Sequence, residues 1–153
     1  MAENANQPGE YVKRLLQEAF SDVPCPAEWE KLGRCEMTHE DCLYFRKSFY
    51  NYEPDEIHYL LPFLLVDLID TRTGDDVQTE DAEYLIFQLD PLRDEGVFQE
   101  VTLRQFKDFT IRQAWAICEW LKLAKSWPDL RIFGLEVEAA IAYWCRAETP
   151  TID

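Results

Sequence analysis

An all-α fold follows from three observations on this sequence. Apolar residues recur at helical spacing along most of the chain, no segment alternates cleanly at the period of a strand, and no hairpin dipeptide such as Asn-Gly occurs. The content, 47% hydrophobic and 14% aromatic, is that of a packed core. At 153 residues one domain is expected. It is predicted to be a compact bundle of six or seven helices over residues 10–147, with flexible ends at 1–9 and 148–153.

Tyr11, Val12, Leu15, Leu16, Ala19 and Phe20 line one face of an opening helix. It is expected to stop at residues 21–22, because the prolines at 24 and 26 disfavour helix in the residues before them. A short helix over residues 27–32 follows, closed by Gly33. Thr38, with Asp41 three residues on, has the form of a capping box. The helix it opens, over 39–50, places Cys42, Phe45 and Phe49 on one face. Pro54-Asp55-Glu56 is a helix start, with proline in the first turn and acids at the positive end of the dipole. That helix runs to about residue 70, buries Ile57, Leu60, Leu61, Leu64, Leu65 and Leu68, and is bent at Pro62. It is the most apolar helix and is placed at the centre of the core.

A polar loop over 71–78 precedes a helix capped by Thr79, running through Leu89 and stopped before Pro91. Residues 92–101 read as a loop around Gly96, with 97–103 passing for one short edge strand. Thr102 and Gln105 form a capping box for a long helix to about residue 125, with Phe106, Phe109, Ile117, Trp120, Leu121 and Ala124 inward. Trp127-Pro128 breaks it. A last helix over 130–147 presents Phe133, Val137, Ala140, Ile141 and Trp144.

Net charge is −15, and its distribution is uneven. Residues 67–100 hold eleven acids against two bases, whereas residues 101–133 hold three acids against six bases. Nucleic acid and anionic membranes need a basic footprint, so direct binding to either is disfavoured and a basic protein partner is favoured. No apolar run approaches the ~18 residues of a membrane span, and no signal peptide is recognised, so a cytoplasmic location is expected. Five cysteines, odd in number and unevenly spaced, fit a reducing compartment. Cys118 and Cys145, inside helical patterns, are expected to be buried thiols.

Cys25, Cys35, His39 and Cys42 carry the donor atoms of a zinc site. Their gaps of nine, three and two residues lack the close Cys pairs of a zinc knuckle, so scattered core thiols explain them better. The five glycines are dispersed, which excludes a phosphate-cradling loop. No nucleophile elbow is present, and no cofactor is expected. An enzyme site would have to be assembled from His58, Cys42 and scattered acids. The remaining constellation is the acidic one: Asp75, Asp76, Glu80, Asp81 and Glu83 around one loop and helix start, with Asp94 and Glu95 in the next loop. It reads either as a solvated face or as an anionic surface that steers a basic partner into contact.

The opening amphipathic helix, the proline-rich loop, the EIHYLLPFLLVDLID helix, EYLIFQLDPL and the Thr-Leu-Arg-Gln helix start together resemble a family of small bacterial helical domains of unknown function. Some of those have the character of immunity proteins that neutralise toxins. The resemblance covers roughly residues 12–124 and brings no catalytic residues. It implies an acidic, stoichiometric inhibitor of a basic toxin or nucleic-acid-acting enzyme. A phage or host regulatory protein that mimics nucleic-acid charge is the alternative from the same physics.

Overall fold

A computed structural model describes residues 7–46, 51–71, 79–93 and 95–145. Among these the chain is all-α: α1 (Gln7–Ala19), α2 (Ala27–Lys31), α3 (His39–Arg46), α4 (Pro54–Thr71), α5 (Thr79–Gln88), α6 (Val97–Phe106), α7 (Ile111–Lys125), a 3₁₀ helix (Pro128–Phe133) and α8 (Gly134–Trp144). No strand occurs among the described residues. The eight α-helices exceed the expected six or seven because two predicted boundaries fall elsewhere.

The helix α4 lies at the centre. Ile57, Leu60, Leu61, Leu64 and Leu65 are fully buried, and Leu68 and Ile69 nearly so. Its first turn is closed by Glu56, whose carboxylate accepts from the Glu53 backbone N–H over 2.9 Å. The same side chain accepts from Trp29 Nε1 over 2.7 Å, so one carboxylate both caps α4 and holds α2 against it. Trp29 stacks on Phe45 of α3 and meets Tyr52 and Tyr59 edge-on, which fastens the α2–α3 segment to α4. The helix continues through Pro62. No helix among the described residues is long and apolar enough to cross a membrane.

The α3 cap is the reciprocal one expected: Asp41 N donates to Thr38 Oγ1, and Asp41 Oδ2 accepts from the Thr38 backbone N–H. Gly33, at φ 68°, ends the segment after α2 in a conformation open to glycine. The expected extension of α3 to residue 50, with Phe49, lies outside the described residues.

Two boundaries are corrected. Residues 97–106 are neither loop nor edge strand but α6, entered through Gly96 at φ 68°. The box Thr102–Gln105 does not cap a helix. Thr102 Oγ1 donates to Phe98 O within α6, and Gln105 Nε2 reaches Tyr52 O. The capping box lies eight residues later, where Thr110 Oγ1 accepts from Gln113 N and Gln113 Oε1 accepts from Thr110 N. The Thr-x-x-Gln pattern occurs twice, and the helix break between the copies decides which one caps.

Further corrections concern the ends and the cysteines. Gln7–Gly9 belong to α1, not to a flexible terminus, whereas residues 1–6 and 148–153 lie outside the described residues. Cys118 and Cys145 are not thiols: they form a disulfide joining α7 to the end of α8. Cys25 and Cys35 form a second disulfide around α2. The proline-rich loop turns back so that the Cα atoms of that pair lie 5.8 Å apart, within bridging range. The reducing compartment expected from unpaired thiols thereby loses its premise.

Candidate protein-docking site

Glu83 and Phe87 lie one turn apart on α5, and Asp90 follows two residues beyond its end. Phe87 and Asp90 form one wall of a groove of about 160 Å³, and Leu135, Glu136 and Ala139 of α8 form the other. Arg93 closes one end, its guanidinium 4.5 Å from the Phe87 ring centroid. Phe133 meets the Phe87 ring edge-on at 6.1 Å. The separation of the walls is set from below, where Trp144 Nε1 of α8 donates to Leu89 O at the end of α5 over 2.7 Å.

The apolar content of this groove is left uncovered. Leu135 is 85% exposed and Ile132, just before it, 80% exposed. The inward stripe of α8 is Val137, Ala140 and Trp144, so Leu135 falls on the outer side of the helix. The groove has room for an apolar side chain of a partner, rimmed by carboxylates.

The predicted acidic constellation is partly visible. Glu83 is half-buried and Glu95 exposed. Glu80 and Asp81 belong to the first turn of α5, their side chains not being described, and Asp75, Asp76 and Asp94 lie outside the described residues. Among the described residues neither Glu83 nor Glu95 makes an ion pair. Three of the six bases of 101–133 pair with other acids: Arg104 with Glu53 over 2.8 Å, Lys122 with Glu119 over 3.4 Å and Lys125 with Glu138.

The zinc set is not brought together. Cys25 and Cys35 are consumed by their disulfide, His39 Nδ1 lies 2.9 Å from Asp67 Oδ1, and the buried Cys42 sulfur points at Phe63 O. No metal-sized cluster of His, Cys, Asp and Glu exists among the described residues. Cys42 and His58 do not meet either. Cys42 contacts α4 at Phe63, five residues beyond His58 and about 140° around the helix. His58 stacks on Phe109 with centroids 4.5 Å apart, and Phe20 approaches edge-on. Its Nε2 donates to Gln113 Oε1 over 2.6 Å. Rings therefore fill the space that a substrate would need beside His58.

The residues that sequence reasoning missed are Phe87 and Leu135. Their signals were an aromatic one turn after Glu83 and a leucine out of phase with the α8 stripe. No protein-family model matches this chain, and neither a curated protein nor a solved structure shows significant similarity to it.

Proposed function

We propose that this chain binds a basic protein stoichiometrically through the α5–α8 groove, as an inhibitor of the immunity or antitoxin type. The observation that carries the reading is Leu135, a large apolar side chain left open beside a groove rimmed by Glu136 and Asp90 and continued by Glu83. An apolar anchor entering such a groove supplies affinity, and the surrounding carboxylates supply steering and register. The net charge of −15 extends the attraction. Toxins and enzymes that act on nucleic acid carry basic clefts, which an acidic protein occupies as a phosphate mimic.

Charge reversal at Asp75, Asp76, Glu80 and Asp81 together tests the reading on the purified complex. It weakens binding by roughly 2–4 kcal/mol while the far-ultraviolet circular dichroism stays unchanged. Affinity that ignores both this variant and salt concentration refutes the proposal.

A further inference from the structure

A second groove, of about 450 Å³, opens where α6 ends and α7 begins, and α8 forms its far wall. Phe106, Phe109 and Trp144 form an aromatic floor, with Phe106 and Trp144 centroids 5.0 Å apart and Phe109 and Trp144 centroids 5.5 Å apart. Ile111, 60% exposed, stands at the rim. The volume lies within the range of small-molecule sites, roughly 300–1,000 Å³.

Its charge is opposite to that of the rest of the chain. Thirty acids stand against fifteen bases in the sequence, yet no carboxylate lines this groove among the described residues. Its one charged lining residue is Lys107, which is exposed and makes no ion pair among the described residues. The mouth also lies at the N-terminal end of α7, where the helix dipole is positive. Aromatic walls favour an apolar body, and an unpaired ammonium favours one negative head. A more highly charged anion is opposed by the overall field of −15.

We infer that this groove binds a hydrophobic monocarboxylate, its alkyl or aryl body against the partly exposed Leu103, Phe109 and Ile111 above the buried Phe106 and Trp144, and its carboxylate beside Lys107 Nζ. The two grooves share no lining residue, although Trp144 of this one also braces α8 against Leu89, so the Lys107 variants are the ones that test this site apart from partner binding.

The test is titration of the full chain with decanoate, decanol and decylammonium, followed by calorimetry and by nitrogen–proton NMR. Decanoate is expected to bind with one-to-one stoichiometry and to shift the Trp144 indole resonance, identified by its loss in Trp144→Phe. Lys107→Ala weakens decanoate about fivefold and Lys107→Glu further, with decanol unaffected. Lys107 is exposed, so both variants keep the fold. Absence of decanoate binding at millimolar concentration overturns the inference. So does decylammonium binding as tightly as decanoate, or affinity for decanoate that is indifferent to Lys107→Glu.

Discussion

Trp144 Nε1 donates to the backbone carbonyl of Leu89 over 2.7 Å, a bond that ties the last helix to the end of α5 within the core. Both residues are buried, so neither group has water as a substitute partner. Trp144→Phe keeps most of the ring contacts with Phe106 and Phe109 but orphans the Leu89 carbonyl. The expected loss is about 1–3 kcal/mol in urea unfolding. The same variant loosens the α5–α8 groove and lowers partner affinity.

Gln113 is a junction of three helices. Its amide oxygen accepts from Thr110 N and from His58 Nε2, and its amide nitrogen donates to Ala19 O at the end of α1. Gln113→Ala is expected to cost roughly 2–4 kcal/mol, because it removes three partly buried bonds at once.

The two Thr-x-x-Gln copies separate by substitution. Thr110→Val removes the cap of α7 and is expected to cost about 1 kcal/mol. Thr102→Val keeps the side-chain volume and loses only a bond to the Phe98 carbonyl within α6, so it changes stability by less than about 0.5 kcal/mol. Equal effects in urea titration would return the cap to Thr102.

The disulfides are testable by thiol counting. In denaturant without reductant one thiol per chain reacts, that of Cys42, and after reduction all five do. The Cys118–Cys145 bridge closes the longer loop, with a separation of 27 residues against 10. Its replacement by an alanine pair is expected to cost about 3.5 kcal/mol, and that of Cys25–Cys35 about 2.7 kcal/mol.

Stability also falls in alkali, for two reasons of the same sign. The hydrogen bond to Asp70 raises Lys13 above its ordinary 10.5, and burial raises Tyr59 above its ordinary 10.0. In both cases the folded state holds its proton more tightly than the unfolded chain. The contribution is thus complete below pH about 10 and declines as pH rises through the folded-state values. Tyr59→Phe removes one part of this decline and also the 2.6 Å bond from Tyr59 Oη to Cys35 O. Thermal melts of both proteins between neutral and strongly alkaline pH check it.

The helices and the α4 core were legible because burial there follows periodicity alone. Every leucine expected inside α4 is buried, as are Ile117, Trp120, Leu121 and Ala124 of α7. The break between α6 and α7 was not legible, since Lys107, Asp108 and Phe109 carry no strong stop signal and the earlier Thr-x-x-Gln looks like a sufficient start. Disulfides depend on spatial approach, and the 27-residue separation of Cys118 and Cys145 hides it. The docking groove was half visible: acids at 80–83 marked α5, but Leu135 belongs to it only because α8 lies alongside.

Docking at the α5–α8 groove is tested most directly by photo-crosslinking through position 135 in the assembled complex. A photoreactive residue there is expected to join a basic protein in one-to-one ratio, with the yield falling as salt rises. In the purified complex Leu135→Asp weakens affinity at least about tenfold, and Glu83→Lys with Glu95→Lys weakens it further. Cross-links absent at 135 but efficient on the opposite side, with affinity untouched by Leu135→Asp, would place the partner elsewhere and end this reading.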